Sequence, residues 1–421
     1  MKEKIKVGFI GLGRRGSLVL KNNISQMSDV EVTAICDLSQ NRMEEARKVI
    51  LENSGHDPIM TTNYKDIINN PDIDAVIIMI GWSGRPQMAI ESMRAGKYTT
   101  IEVGCADTLQ ECYDIVAAYE ETGVPVMMLE NCCYGRREMM VLNMVKQGLF
   151  GEVVHCTGAY GHYLNNAELF YNIGKEEIPH YRLEKYRTMN RENYPTHELG
   201  PISKVLNINR GNRFVSLSSF GSKNVGIKSY VAEHFGEESE YYTDYKQSDI
   251  VNTFLTCANG ETVLLTLDTT LPRAYYTRNF SVHGTKGMSS EERRVVFLDD
   301  PANDKEIELE NNEEEMFKKY DHPLHEEYIR KGVKEGHGGM DWLVCRAFVE
   351  AVKNGTNTPI DAYDTAAWLA IGPLSEQSIA NGGAPVEFPD FTNGKWKNRE
   401  PIVESKYCLD AIVKDESVSV V

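Results

Sequence analysis

Five places in this chain crowd side chains that move protons or grip anions: Glu130-Asn131, Tyr160 to His162, Tyr194 to His197, Arg273 to Tyr276 and Gly336 to Asp341. Among them His197 has the most direct chemistry. An imidazole titrates close to working pH, so it can take a hydroxyl proton as a hydride leaves the same carbon. Pro195 restrains Tyr194 just ahead of it, and a Leu/Ile helix follows. The competing reading is a histidine that caps a helix or satisfies a buried carbonyl. Taken alone, Tyr160-x-His162 reads as an edge-strand pair facing solvent and His337 as a cap in a glycine-rich turn. Glu198 reads as a first-turn helix acid, and Arg182 as a solvated surface arginine. His155, His162, His180 and His197 lack H-x-x-x-H or Cys/His spacing, so no metal site is expected.

The elements that must position these groups start with Lys6 to Gly16, KVGFIGLGRRG. An apolar run enters a turn with Gly11, Gly13 and Gly16, and a helix follows. This is G-x-G-x-x-G between strand and helix, where glycines allow a tight turn, backbone approach to a pyrophosphate and close helix packing. Asp37 ends a second apolar strand (Val30 to Cys36) about 20 residues beyond Gly16, where a carboxylate accepts from ribose hydroxyls and repels a 2′-phosphate. The expected cofactor is NAD. Strands at Ala75 to Ile80, Tyr98 to Val103 and Val124 to Leu129 alternate with helices, giving a doubly wound parallel sheet whose strand ends collect Trp82, Arg85, Glu102, Glu130 and Asn131.

Beyond a helix near Glu138 to Gln147 the pattern changes. Six stretches alternate like half-buried strands: Val153 to Tyr160, Phe214 to Phe220, Ile250 to Cys257, Thr262 to Thr269, Phe280 to Val282 and Val295 to Leu298. They predict an α+β domain with a largely antiparallel open sheet. Asn165 to Asn193 reads as an irregular polar insertion, residues 301–320 as a solvated acidic excursion, and Asp341 to Lys353 and Ala362 to Ala380 as helices. The expected division is a nucleotide-binding domain over 1–130, a substrate and oligomerisation domain over 131–400, and a tail over 401–421.

The 421 residues carry 45 basic and 62 acidic side chains, a net charge of −17 that disfavours nucleic acid and anionic membranes as partners. Nine scattered cysteines form no C-x-x-C pair, which fits a reducing compartment. No secretion leader or membrane span is read, so a cytoplasmic location is expected. An open sheet face needs covering, so a homodimer or larger homo-oligomer is expected.

The fingerprint followed by an α+β sheet domain resembles the Gfo/Idh/MocA oxidoreductase superfamily. Members carry an E-K-P motif whose lysine assists hydride transfer; here the stretch is Glu102-Val103-Gly104. With GLGRRG, Trp82, YPTHELGP, LNINRG, LPRAYY, GHGGMD and GGAPVEFPDF, the chain resembles glycoside hydrolase family 109, the NAD-dependent α-N-acetylgalactosaminidases. The resemblance implies hydrolysis of a small glycoside without net redox: oxidation at C3, loss of the C2 proton, departure of the aglycone, water addition and re-reduction. This stands outside the two-carboxylate scheme. It implies cofactor contacts at Gly11, Gly13, Gly16, Arg14, Arg15, Asp37, Trp82 to Arg85, Glu102, Val103 and Asn131. Substrate contacts fall on Tyr160, His162, Arg182, Tyr194, Pro195, Thr196, His197 and Tyr275. Within that set His197 is the base on the C3 hydroxyl, Tyr275 serves the C2 proton and Glu130 gives support or proton relay.

Two departures mark this chain. The family's T-P-W-x-x-H loop is Ile80-Gly81-Trp82-Ser83-Gly84-Arg85, with arginine for histidine, and its E-V-P is E-V-G. The competing readings are an NAD-dependent sugar or inositol dehydrogenase, opposed by the missing lysine; a non-enzymatic NAD-binding sensor, opposed by the Tyr/His/Arg crowd; and the same mechanism on another hexoside.

Overall fold

The computed structural model describes residues 2–171, 173, 180–300, 309–331 and 337–410. The expected acidic excursion at 301–308, residues 172 and 174–179 of the polar insertion and the tail from 411 lie outside them. The chain forms two compact units: Met1–Asn143 with Phe317–Leu369 and Asn398–Val421, and Met144–Met316 with Ala370–Lys397.

The first unit holds a parallel sheet of β1 (Ile5–Ile10), β2 (Val30–Cys36), β3 (Ile59–Thr61), β4 (Ala75–Ile78), β5 (Tyr98–Ile101) and β6 (Val126–Met128), in the order β3-β2-β1-β4-β5-β6. Most residues of β1 and all of β4 are buried, as in a strand covered on both faces. The order reverses between β1 and β4, which opens a crevice at the carboxyl ends of the strands. Helix Met340–Asn354 returns to this unit from far along the chain. Its Arg346 grips Asp29, at the entry to β2, through two hydrogen bonds of 2.7 Å, and its Lys353 adds a third at 2.6 Å. The Lys2 amide donates to the Lys353 carbonyl at 3.0 Å. Hydrogen bonds from Arg346, and then from Lys353, hold the Asp29 carboxyl well below the usual carboxylate range against the opposing effect of burial.

The second unit holds β7 (Val153–Gly161), β8 (Phe214–Gly221), β9 (Ile250–Cys257), β10 (Thr262–Asp268), β11 (Ser281–Gly284), β12 (Gly287–Ser290), β13 (Val295–Leu298) and β14 (Val386–Glu387). Their order is β13-β12-β11-β7-β10-β9-β8-β14, antiparallel except where β7 meets β10. Period-two burial is plain in β9, where Val251, Thr253, Leu255 and Cys257 are buried while Asn252 and Phe254 are exposed. Helix Thr196–Val205 lies on β7 at Gly158. A Cβ there would sit 2.4 Å from the Glu198 Cβ, so only glycine admits so close an approach. That contact sets the head of the helix against the end of β7.

Several expectations are revised. Tyr181–Thr188 is an α-helix and Asn165–Leu169 a wide helical turn inside the supposed irregular insertion. Glu313–Tyr320 is helical with Phe317 buried, 4.0 Å beneath the Arg136 guanidinium, rather than part of a solvated excursion. The expected Ala362 to Ala380 helix is two, Ala362–Leu369 and Ile371–Ala380. β12 escaped the sequence reading because Gly287-Met-Ser-Ser290 is poor in the β-branched and aromatic residues that mark strands. The first unit is not one continuous stretch of chain, because 317–369 rejoins its sheet. Among the described residues no helix is long and apolar enough to cross a membrane.

Candidate active site

In the first unit the glycine turn is built for an anion. Gly11 has φ +94°, which an L side chain rarely adopts. A Cβ on Gly16 would lie 2.1 Å from the Gly11 carbonyl oxygen, whereas one on Gly13 would meet nothing within 4 Å. Space is therefore left open at Gly13 and closed elsewhere. Helix Arg14–Asn22 starts with no side-chain cap and no acid in its first turn, which leaves its end suited to phosphate. The Asp37 carboxylate accepts from the Leu12 amide at 2.6 Å and the Ser39 amide at 2.9 Å, which fixes it beside the turn. These residues fit a dinucleotide.

Arg14 is exposed, but Arg15 turns inward. Its Nη1 and Nη2 donate to the two Asp341 oxygens at 2.6 and 2.8 Å, and its Nε donates to Glu102 at 3.2 Å. Asn131 Nδ2 donates to Asp341 at 2.7 Å, and His337 Nδ1 lies 2.9 Å from it. Burial would raise the Asp341 carboxyl, but the hydrogen bonds from Arg15 and His337 hold it well below the usual range. His337, expected as a turn cap, is instead held by this carboxylate, at φ +52°, with its side chain 61 % exposed. Trp82, Arg85, Val103 and Glu130 are all buried. Glu130 accepts from the Cys132 amide at 2.9 Å and so starts the short turn that carries Asn131. Gly104, one of the two departures, has φ +133°, and a Cβ on it would sit 2.2 Å from the Trp82 indole nitrogen.

In the second unit the structure gathers Tyr160, His162, Arg182, Tyr194 and His197. β7 is an interior strand, not an edge, and Tyr160 at its end is buried. The Tyr160 and Tyr194 rings lie 4.3 Å apart, and His197 stands edge-on to both at 5.7 and 5.0 Å. Tyr160 Oη is 3.0 Å from His162 Nδ1, and burial holds its phenol well above the ordinary value. Arg182 is buried, not a surface arginine. Its guanidinium lies 4.7 Å over the Tyr194 ring, and Nη1 is 2.8 Å from Glu168. Burial alone would lower its pKa; Glu168, Tyr181 and the cluster tyrosines overcome that and hold the guanidinium charged. Pro195 caps helix Thr196–Val205, and the buried Thr196 hydroxyl has no hydrogen-bond partner among the described residues.

Tyr275 is the expected member with no ring contact to this cluster among the described residues. It is 60 % exposed, with Arg273 as its ring neighbour at 5.8 Å. Tyr276 joins instead, 5.2 Å from His162 and 6.3 Å from Tyr160. Sequence reasoning also missed Glu168, Asp341 and Glu192. The fully buried Glu192 accepts from the Tyr194 amide at 3.1 Å, while its own amide donates to Ser375 at 2.9 Å. Burial pushes its carboxyl up to about 8. Only the Asp within GHGGMD stood in a stretch already singled out.

Two family profiles match the chain: "Oxidoreductase family, NAD-binding Rossmann fold" over residues 5–130 and "Glycosyl hydrolase 109, C-terminal domain" over 134–398. The chain is 37 % identical to an alpha-N-acetylgalactosaminidase of Tannerella forsythia, covering 94 % of this chain and 88 % of that one. It is 39 % identical to a glycosyl hydrolase family 109 protein of Stenotrophomonas maltophilia, covering 95 % and 91 %. Among solved structures it is similar to a levoglucosan dehydrogenase in complex with NADH, with TM-score 0.64 and 17 % identity over 92 % of this chain and 99 % of the other, a likeness of fold.

Proposed function

We propose the following reaction for this chain, which belongs to glycosyl hydrolase family 109: redox-neutral cleavage of an α-N-acetylgalactosaminide with NAD as a recycled cofactor. The observation that carries it is the Tyr160–His162–Arg182–Tyr194–His197 cluster, with Tyr160, Arg182 and Tyr194 buried and both histidines half-buried, which lies wholly within the stretch matched by the family's C-terminal profile. Gly11, Gly13, Gly16, Asp37 and the start of helix Arg14–Asn22 would hold the dinucleotide, and Asp37 supports NAD over NADP by repelling a 2′-phosphate. When bound, NAD⁺ supplies a reversible hydride acceptor for C3 of the sugar.

The chain's own residues handle protons and position. His197 takes the C3 hydroxyl proton, because an imidazole can both accept it and return it at the end of the cycle. Tyr160 and its His162 partner hydrogen-bond sugar oxygens and relay protons between them. Arg182, kept cationic by Glu168, anchors a polar substituent of the sugar. A carbonyl at C3 acidifies the C2 hydrogen, and Tyr276, set beside the cluster rings where Tyr275 was expected, receives that proton as its phenolate and becomes the neutral phenol. Its loss expels the aglycone from C1, and water then adds there. Glu130 supports the turn that carries Asn131. A homodimer covering the open face of the second sheet, where Phe220 and Phe254 are exposed, completes the reading; light scattering tests it.

The test of the reaction incubates the protein with para-nitrophenyl α-N-acetylgalactosaminide and follows nitrophenol and absorbance at 340 nm together. Nitrophenol release without NADH accumulation, lost when bound nucleotide is stripped and restored by NAD⁺, is the expected result. NADH accumulation with a free sugar and no release would make the chain a dehydrogenase. Silence on both with this substrate, but release from another hexoside, would move the substrate and keep the chemistry.

A further inference from the structure

The Arg15 guanidinium does not face the nucleotide turn as a lone cation. Asp341 holds it by a two-pronged contact and Glu102 holds its Nε. Two carboxylates therefore surround one guanidinium, and with His337, 2.9 Å from Asp341, in its neutral form these three side chains carry one negative charge. The group also has a defined place in the sheet. Asp37, at the end of β2, marks the half that takes the adenosine. Glu102 follows β5, in the opposite half, beyond the reversal between β1 and β4. A doubly wound sheet binds one mononucleotide per half, so β4 to β6 take the nicotinamide end.

The two redox forms of the cofactor differ at that end by one unit of charge: the ring is cationic in NAD⁺ and neutral in NADH. A pyrophosphate would be repelled by a net negative group, whereas a cationic ring is attracted. We propose that the Glu102–Arg15–Asp341 triad selects the oxidised cofactor, with Asp341 as the positioning residue that holds Arg15 in place between the two acids. This rests on the reading that the chain binds NAD for a closed redox cycle. Such a cycle starts and ends with NAD⁺, so a site that favours the oxidised form draws the closing return of the hydride to C3 forward. Arg85, buried at the start of helix Arg85–Arg94 after the neighbouring β4, brings a cation of its own. The test therefore changes one charge and leaves that residue in place.

The experiment titrates nucleotide-stripped protein with NAD⁺ and, separately, NADH by calorimetry at about pH 8.5, above the ordinary imidazole range. Wild type, D341N and E102Q are compared, with thermal melts to establish that each is folded. The expected result is a Kd ratio, NADH over NAD⁺, that exceeds one in the wild type and falls on the order of tenfold in each variant, driven by NAD⁺. A general structural defect weakens both nucleotides together and leaves the ratio where it was. An unmoved ratio in folded D341N and E102Q overturns this inference alone, and the hydrolytic reading survives. A wild type that binds neither nucleotide overturns both.

Discussion

The glycine turn of the first unit and the aromatic cluster of the second solve different problems, and only one is local. The turn needs backbone shape, so its requirements fall within a few adjacent residues: a left-handed Gly11, a packed Gly16, an open Gly13. The cluster needs side chains that converge from separate elements. Tyr160 ends β7, Tyr194 and His197 flank a helix start, Arg182 sits on Tyr181–Thr188, and Tyr276 follows β10. What joins them is tertiary, above all the approach of helix Thr196–Val205 to β7 at Gly158. Substitutions in the turn should thus damage one ligand's binding through the backbone, and substitutions in the cluster should damage turnover through single functional groups.

The sharpest test of that contrast is His197→Ala. Turnover should fall by about 10²–10⁴-fold, the usual range for a lost general base, while the melting temperature and NAD affinity hold. Wild-type turnover in this variant would remove His197 from the mechanism. Next in size is Gly16→Ala. Its Cβ cannot share space with the Gly11 carbonyl oxygen, so dinucleotide affinity should drop at least about tenfold and the fold should lose about 1–3 kcal/mol, as overpacking does. Unchanged titration and urea curves would mean that the turn yields more easily than its geometry implies.

A smaller effect separates two neighbours. Tyr276→Phe should lower kcat several-fold, while Tyr275→Phe, altering an exposed ring, should leave it nearly unchanged. The reverse order would restore the original sequence expectation for Tyr275. That expectation shows where reading by resemblance stops: the motif LPRAYY supplies two adjacent tyrosines, both exposed, and only the backbone after β10 decides which one meets the Tyr160 and His162 rings. Glu168 and Glu192 left even less trace, since a carboxylate in a polar loop looks the same whether it is solvated or buried against Arg182 or Tyr194. Residue type alone makes Arg182 a surface arginine for the same reason, and only the resemblance places it among the substrate contacts. The parallel sheet, by contrast, was legible through its strand ends, because apolar runs and glycine turns repeat the same local rule. The departure at Gly104 also gains a cause: at φ +133° under the Trp82 indole, neither a Cβ nor the fixed φ of proline fits.

The mildest prediction concerns pH. Glu192 ionises at about 8 in the fold against an ordinary 4.5. Between those values the folded state holds a proton that the unfolded chain has released, so this group's contribution makes stability fall as pH rises from about 4.5 to 8. Glu192→Gln cannot ionise and should flatten that part of the curve, melting several degrees higher than wild type near pH 8 and much less so near pH 5. Parallel melting curves for the two proteins across that span would mean that the buried carboxyl is already relieved by another group.

The helix that stitches Arg346 and Lys353 onto Asp29 sets an order on the ribosome. β1 to β6 emerge first, yet the Arg15 partner Asp341 and the Asp29 clamp are made only after β7 to β13 of the second sheet. The nascent nucleotide-binding sheet therefore waits, incompletely packed, while the second unit is synthesised. Translation that stops near residue 316 would release a polypeptide with all of its second sheet but β14 encoded and its first unit unfinished, a natural substrate for chaperones and proteases.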